Sequence, residues 1–177
     1  MKRQGKLILE TSRLILRELV PDDADDIARI ICDPIAMQYF PTVYSRADAD
    51  EWVARNMRRY AADGHGLWAV IVRGTDELAG DCGVTRQIVD DIDEREIGYH
   101  FRRDHWGHGY ATEAARACRD WAVANTPAEY VISLIRPGNI PSQRVAERNG
   151  MTIWKTIVWR GLEHRVYRID RALIETT

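Results

Sequence analysis

The feature that most constrains the fold is a step from a strand-like segment, across a loop with two glycines, into an alanine-rich helix. Residues 94–102, EREIGYHFR, have the polar–apolar alternation of a strand. The loop RDHWGHGYAT follows and leads into a predicted helix that ends near Asn125. One face of that helix is small or apolar: Ala111, Ala114, Ala115, Cys118, Trp121 and Ala122. The alanines allow unusually close packing of this helix on a sheet.

The other segments extend this unit without an internal repeat or a flexible linker. Residues 13–19 predict a strand, 23–32 and 45–62 predict two helices, and LWAVIVR and ELAGDCGVTRQ predict a hairpin around residues 74–76. YVISLI predicts a strand, residues 141–149 a helix, and MTIWKTIVW and HRVYRID two final strands. The predicted order is β-α-α-β-β-β-α-β-α-β-β.

Length and hydropathy favour one domain with no membrane partner. A chain of 177 residues with 45% hydrophobic content can bury one core, so residues 1–177 are predicted to form a single domain. The longest apolar run, LWAVIV, is far shorter than the ~20 residues that span a bilayer. Glu10 and Arg13 interrupt the apolar residues after Lys2 and Arg3, so no signal-peptide core is expected. We therefore expect a cytoplasmic protein.

Cysteine spacing and charge narrow the function classes further. Cys32, Cys82 and Cys118 are odd in number and widely spaced, which is typical of small core residues in a reducing compartment. The net charge is −2 and no long Lys/Arg block occurs, so we expect no nucleic-acid partner. The densest basic stretch, RNMRR at residues 55–59, has the spacing of the solvated side of a helix, with a phosphate-binding patch as the alternative.

The glycine loop predicts an anion site at the start of the alanine-rich helix. Unpaired N–H groups and the helix dipole favour phosphate there, and Gly107 and Gly109 would let the backbone approach phosphate oxygens. Taken alone, the two glycines are more typical of a plain glycine-rich connection than of a phosphate site. No GxxxxGK[ST] motif or complete GxGxxG motif follows an early strand, which disfavours other nucleotide-binding classes.

Four ordered motifs carry a family resemblance: ETSRLILRE, EIGYHF, WGHGYATEAA and NIPSQRVAERNGM. Together they resemble the GNAT acetyltransferase superfamily, in particular its branch of ribosomal-protein N-terminal-alanine and N-terminal-serine acetyltransferases. The resemblance implies the α/β GNAT fold, of α+β type, in which four helices flank a mixed, mostly antiparallel sheet of about seven strands. It also implies transfer of an acetyl group from acetyl-CoA, as cosubstrate, to a primary amine of a small molecule or a protein N-terminus. A homodimer is left open.

The same resemblance assigns the acetyl-CoA site. Tyr99, His100 and Phe101 would offer backbone groups to the pantetheine arm from a strand that splays away from its neighbour. Asn139 would hydrogen-bond that arm, although an N-cap role fits it too. The pyrophosphate loop would consist of Trp106, Gly107, His108, Gly109, Tyr110 and Ala111, with the hydroxyl of Thr112 added. Trp106 departs from the Gln or Arg of the general superfamily motif.

The catalytic assignments also follow from the resemblance. Ser142 would protonate the leaving thiolate, because Ala146 occupies the place of the tyrosine that many relatives use as the acid. Glu96 would accept the amine proton directly or through water, with Glu94 in reserve on the same strand face. Pairing of Glu96 with a neighbouring arginine is the alternative. The missing tyrosine motivates a second hypothesis, a catalytically degenerate acyl-CoA-binding regulatory domain.

The acceptor pocket is expected between the two early helices and the last hairpin. Aromatic and histidine side chains would line it, although most of them also fit the core: Tyr39, Phe40, Trp52, Trp159 and His164. His105, His108 and His164 lack partners at metal-ligand spacing, so no metal is assigned. The sequence leaves the amine open between a protein terminus, a polyamine, an amino acid and an antibiotic.

Overall fold

The computed structural model describes residues 4–176, so Lys2 and Arg3 lie outside the described residues. Its strands are β1 (Leu7–Glu10), β2 (Leu14–Arg17), β3 (Leu67–Val72), β4 (Glu77–Val89), β5 (Ile92–Phe101), β6 (Tyr130–Ile135), β7 (Thr152–Trp159) and β8 (Leu162–Asp170). Its helices are α1 (Ala24–Ile31), α2 (Arg46–Asp63), α3 (Tyr110–Asn125), α4 (Ile140–Arg148) and α5 (Arg171–Glu175), with 3-10 turns at Pro21–Asp23 and Arg103–His105. None of the helices in residues 4–176 is long and apolar enough to cross a membrane.

All the described strands form one sheet in the order β1-β2-β3-β4-β5-β6-β8-β7. Every neighbouring pair is antiparallel except β5 and β6, so the prediction of a mixed, mostly antiparallel sheet is confirmed. The predicted element order is also right, apart from two short additions that raise the counts to eight strands and five helices. β1 has four residues and α5 has five, too few to give a clear period in the sequence.

Alternating residues of β3 show how the helices cover the two faces of the sheet. Trp68 and Val70 pack in a core with α3 and α4, whereas Ala69 and Ile71 pack in a second core with α1 and α2. Successive strand side chains point to opposite faces, so α3 and α4 lie on one face and α1 and α2 on the other. Small residues of α3, including Ala114, are fully buried in the first core, as the alanine pattern predicts.

Local sequence signals position the ends of the helices. Ser45 is the N-cap of α2, and its side chain accepts a hydrogen bond from the amide of Asp48. Gly64 ends the same helix in the left-handed conformation, with φ of 77°. The observed helix, Arg46–Asp63, agrees within one residue with the range 45–62 predicted from the sequence.

A split between β5 and β6 positions the candidate site. Their parallel pairing is limited to one register position, Glu96 opposite Ile132. The hydroxyl of Ser133 then donates to the carbonyl oxygen of Ile97 at 2.8 Å. Beyond this bond the two strands no longer pair. The split therefore opens a cleft beside residues 98–101 of β5, whose end leads into the glycine loop.

Candidate active site

The glycine loop presents a run of free backbone amides at the start of α3. Gly107 and Gly109 both have φ of 79°, a left-handed conformation that other residues adopt only with strain. Gly109 is the N-cap of α3 and no side chain caps this helix end. Among residues 4–176, no acceptor faces the N–H groups of residues 107–112. Unpaired amides at a helix start form a binding site for phosphate-like anions.

An arginine from the first hairpin fixes the shape of this loop. The guanidinium of Arg13 donates to the carbonyl oxygen of His108 at 2.8 Å and to the carboxylate of Glu113, on the first turn of α3, at 2.7 Å. Glu113 also accepts from the hydroxyl of Thr11 at 2.6 Å. Burial would raise the pKa of Glu113, but the hydrogen bonds from Thr11 and Arg13 outweigh it and leave the pKa lowered. The guanidinium of Arg13 therefore binds the loop and the first turn of α3 and holds the two together.

Tyr99, His100 and Phe101 lie at the end of β5, beyond the point where this strand pairs with β6. Their backbone therefore borders the cleft, where the resemblance places the pantetheine arm. The indole N–H of Trp106 donates to the carbonyl oxygen of Phe101 at 2.9 Å, which ties the loop back to the strand. That carbonyl is thus already engaged, and this is a contact that the sequence did not predict.

The start of α4 faces the cleft from the other side. The side-chain oxygen of Asn139 accepts from the amide of Ser142 at 3.2 Å, so Asn139 is an N-cap. Its side-chain N–H₂ has no partner among the described residues and is not sealed from solvent, which leaves it able to bind a second group. The N-cap role and the expected contact with the pantetheine arm are therefore compatible.

A phenol from β5 meets Ser142 across the cleft. The hydroxyl of Ser142 donates to the phenol oxygen of Tyr99 at 3.0 Å, and the phenol donates to the carbonyl oxygen of Ser142, also at 3.0 Å. Burial raises the pKa of Tyr99 and the hydrogen bond with Ser142 opposes this, with a net rise. The phenol therefore stays protonated. Ala146, at the place where many relatives are expected to carry a tyrosine, is only 1% exposed in the core beneath.

The two candidate carboxylates on β5 differ in accessibility. Glu96 is partly exposed and accepts hydrogen bonds from the hydroxyl of Thr85 at 3.1 Å and the side-chain amide of Gln87 at 2.8 Å. Glu94 is only 3% exposed and accepts from the phenol of Tyr130 at 3.0 Å. Glu96 forms no ion pair with a described residue, in contrast to the alternative prediction of pairing with arginine. Of the two, only Glu96 remains accessible for proton transfer.

This arrangement of a split strand pair, a free-amide loop and a polar helix start coincides with a family match. A model of the acetyltransferase (GNAT) domain matches residues 13–152, most of the chain. The chain belongs to the GNAT acetyltransferase family.

Other GNAT proteins and related chains support this membership. YkkB, an uncharacterized protein of Bacillus subtilis, is 38% identical over 157 residues, covering 89% of this chain and 91% of YkkB. An acetyltransferase of Agrobacterium tumefaciens superimposes with a TM-score of 0.80 at 28% identity, covering 94% of this chain and 98% of that one. RimL, a ribosomal L7/L12 alpha-N-protein acetyltransferase in complex with coenzyme A, has a TM-score of 0.76 and 16% identity, covering 93% and 98%. At that identity the likeness to RimL shows the GNAT fold alone.

A buried aspartate–histidine pair beside the GNAT cleft was not predicted from the sequence. Asp81 on β4 is 1% exposed, accepts from the indole N–H of Trp52 at 2.7 Å, and contacts Nδ1 of His100 on β5, also at 2.7 Å. Nε2 of His100 has no partner among residues 4–176 and is not sealed from solvent. The sequence predicted a role for the backbone of His100 only. Its side chain is a second group able to accept a proton on the α1–α2 face.

The predicted aromatic lining divides into separate groups. The ring centroids of Phe40 and Trp52 lie 5.1 and 5.0 Å from that of His100. Trp159 packs 5.5 Å from His164 in the last hairpin. Tyr39 lies beside Gly138, where the loop after α1 approaches the loop before α4.

The RNMRR stretch lies on α2 and is not uniformly solvated. Arg58 is exposed and pairs with Glu51, which agrees with the prediction of a solvated face. Arg55 and Arg59 are partly buried and turn toward the sheet, where Arg55 lies 4.8 Å over the ring of Trp52. The prediction is therefore wrong for these two arginines, because α2 covers the open part of the sheet rather than standing apart from it.

Proposed function

We propose that this chain is an N-acetyltransferase that transfers the acetyl group of acetyl-CoA to a primary amine by direct attack in a ternary complex. The observation that carries the proposal is the run of free amides at residues 107–112, at the mouth of the β5–β6 split. These amides suit the pyrophosphate of a CoA thioester, and the split suits its extended arm. The proposal treats residues 1–177 as one catalytic domain.

Tyr99, Asn139 and Ser142 have roles on the cosubstrate in this proposal. The side-chain N–H₂ of Asn139 and backbone groups of Tyr99 would hold the arm, which brings the thioester to the start of α4. As the amine nitrogen bonds to the acetyl carbon, the carbon–sulfur bond breaks. The hydroxyl of Ser142, which rests as a donor to the phenol oxygen of Tyr99, then gives its proton to the sulfur and regains one from solvent.

The amine must lose a proton, and the proposal gives this step to Glu96. Glu96 lies on the α1–α2 face of β5, and its accessible carboxylate supports this role. Nε2 of His100 is the second candidate, because Asp81 holds the opposite side of its ring. The products are an N-acetyl amine and CoA with a free thiol, so one proton leaves the amine and one reaches the sulfur.

The proposal also places the enzyme in the cytoplasm. What supports this is a pair of buried thiols, Cys82 and Cys118, that interact without forming a disulfide.

Free-thiol release is the direct test. Purified protein is mixed with acetyl-CoA and a panel of amines: short peptides, amino acids, polyamines and aminoglycosides. We expect amine-dependent release of CoA and an acetylated product by mass spectrometry. Binding of acetyl-CoA by calorimetry without release for any amine would favour the degenerate regulatory domain instead. Absence of both binding and release would contradict the assignment of the loop.

A further inference from the structure

Arginines surround the acceptor side of the cleft with few carboxylates to balance them. Arg55 and Arg59 come from α2, Arg136 follows β6, and Arg160 lies in the turn between β7 and β8. None of the four forms an ion pair with a residue in the described range 4–176. Arg55, Arg59 and Arg136 are partly buried, whereas Arg160 is exposed. Because arginine is rarely buried without a partner, the first three point to a missing anion.

Two of these guanidinium groups have buried nitrogens that lack any partner. Nε of Arg55 and Nε of Arg136 are shielded from solvent and make no hydrogen bond with a described residue. Arg59 has only a 3.2 Å hydrogen bond to the side-chain oxygen of Asn56. Burial lowers the pKa of Arg59, and the charges of Arg55 and Arg160 lower it further. The free protein therefore keeps several cations together at an electrostatic cost.

Arg160 is linked to Glu96 through Gln87, and Arg59 interacts with Glu96 electrostatically. Arg160 donates to the side-chain oxygen of Gln87 at 3.5 Å, and Gln87 donates to Glu96 at 2.8 Å. Glu96 is close enough to Arg59 to affect its pKa. Both Glu96 and Arg136 also affect the pKa of His164, which burial lowers. The carboxylate of Glu96 is thus outnumbered by cations on the face where the acceptor amine would bind.

A second carboxylate near α2, that of Asp63, does not restore the balance. Asp63 affects the pKa of Arg59 from the end of the helix, but it pairs with Arg86 at 2.9 Å. Aromatic rings instead support two of the arginines. Arg55 lies over Trp52, and Arg160 lies 4.2 Å from the ring centroid of Trp159. Ring contacts orient a guanidinium group while leaving its N–H groups free.

The phosphates of acetyl-CoA do not explain this cluster. Their expected site, the loop at residues 107–112, follows Phe101, and β5 separates Phe101 from Glu96 by five residues or about 17 Å. In acetyl-CoA the thioester and the phosphates stand at opposite ends of the pantetheine arm. An arm that runs from the loop toward Glu96 therefore carries its phosphates away from the arginines.

We infer that the acceptor is a primary amine that also carries an oxyanion, a carboxylate or a phosphate, and that Arg55, Arg59, Arg136 and Arg160 bind this group. The inference rests on the proposed acetyl transfer and names its substrate class. Guanidinium groups pair with carboxylates and phosphates through parallel hydrogen bonds. The same positive field disfavours amines with several cations, so polyamines and aminoglycosides are poor acceptors. It also favours the neutral, reactive form of the attacking amine.

The test uses pairs of amines that differ in one anionic group. A short peptide with a free carboxyl terminus is compared with its carboxyl-terminal amide, and phosphoethanolamine is compared with ethanolamine. We expect kcat/KM to be at least about tenfold higher for the anionic member of one pair, and the preferred pair identifies the oxyanion. This ratio should shrink as salt rises, because ions screen the arginines.

Variants of α2 supply matched controls. Arg59→Gln should bring the anionic-to-neutral ratio toward one, and Arg59→Lys should retain part of it. Arg58→Gln, on the same helix but exposed and paired with Glu51, should leave the ratio unchanged. Equal kcat/KM within both pairs, faster turnover of spermidine than of either anionic amine, or an unchanged ratio in Arg59→Gln would each overturn the inference.

A binding measurement separates this inference from the proposed activity. With acetyl-CoA saturating the loop, inorganic phosphate should raise the melting temperature of the unmodified protein more than that of Arg59→Gln. If phosphate acts through Arg59 but no amine releases CoA, the proposed activity fails and the anion site stands. If amines release CoA but phosphate has the same effect on both proteins, the anion site fails alone.

Discussion

In the proposed mechanism, the two faces of the sheet would bind their ligands by different means. On the α3–α4 face, six consecutive residues of one loop present backbone amides, and the charged side chains Arg13 and Glu113 neutralise each other while they hold the loop. On the α1–α2 face, the arginines come from α2, the end of β6 and the last hairpin, and they lack acidic partners among the described residues. The proposed cosubstrate site is therefore local and made by the backbone, whereas the proposed acceptor site is composite and made by side chains.

The largest effect is expected from a change in the backbone-made site. Gly109 has φ of 79°, and a Cβ there meets only a guanidinium nitrogen of Arg13, at 3.5 Å, so a substitution strains the backbone without a severe clash. Gly109→Val should distort the loop and cost at least two charge-assisted hydrogen bonds, each worth about 1.5–3 kcal/mol. Calorimetry should then show acetyl-CoA affinity reduced by ~100-fold or more.

Gly74→Val is the matched control for that change. Gly74 has φ of 82° in the β3–β4 turn, and a Cβ added there would meet no described atom within 4 Å, so it bears a similar strain far from the loop. It should lower the melting temperature without weakening acetyl-CoA binding. His108→Ala should have a mild effect, since the contribution at this position comes from the main chain. Unchanged affinity in Gly109→Val would show that the loop does not bind the cosubstrate.

A smaller effect is expected where a side chain of α4 meets one of β5. Ser142→Ala should lower kcat by roughly 10- to 100-fold with little change in KM for acetyl-CoA, since general acid catalysis contributes at least that much. Tyr99→Phe should lower kcat by less. The double variant should be no slower than Ser142→Ala, because the two hydroxyls act through one hydrogen bond.

Rate-limiting chemistry must be established for this comparison, for example by single-turnover kinetics. Additive losses in the double variant would mean that Ser142 and Tyr99 act independently. An unchanged kcat in Ser142→Ala would reduce Ser142 to a residue of the helix start.

The contrast between the faces also explains how far the sequence could predict the molecule. The element order, the glycine loop and the range of α2 follow from short-range patterns, and the structure contains all three. The Asp81–His100 pair could not be predicted in this way, because it depends on the cross-strand register of β4 and β5. The inward turn of Arg55 and Arg59 depends on how α2 packs on the sheet, and helical spacing alone indicated a solvated face.

The role of Glu96 depends on the amine that the α1–α2 face accepts. An N-terminal amine, with a reference pKa of ~7.7–8.0, is partly neutral at pH 7, so Glu96→Gln should cost less than about tenfold in kcat/KM. A lysine-like amine must be deprotonated from a reference pKa of ~10.4, at about 4–5 kcal/mol. With such a substrate, Glu96→Gln should lose most of its kcat/KM and partly recover it at high pH.

Profiles of kcat/KM against pH for the two proteins check this prediction. We expect the modest loss, because the motifs resemble the N-terminal acetylating branch. Superimposable profiles of equal height would remove Glu96 from the mechanism. His100→Gln would then be the next variant, since His100 offers the other accessible proton acceptor on this face.

The smallest effect concerns the ion pair that holds the cosubstrate loop. The hydrogen bonds from Thr11 and Arg13 outweigh burial and lower the pKa of Glu113, so its carboxylate stabilises the folded state at neutral pH. That stability is present above the unfolded pKa of ~4.3 and is lost as the pH falls through the lower folded value. Glu113→Gln should therefore be destabilised by about 1 kcal/mol at pH 7, and the difference from the unmodified protein should shrink in acid.

Thermal melts between pH 7 and pH 3 measure this difference in stability, and Glu51→Gln, a change at an exposed residue, is the control. A difference that stays constant with pH would mean that the charge of Glu113 does not hold the loop, and that the free amides of residues 107–112 keep their arrangement through the glycine backbone alone.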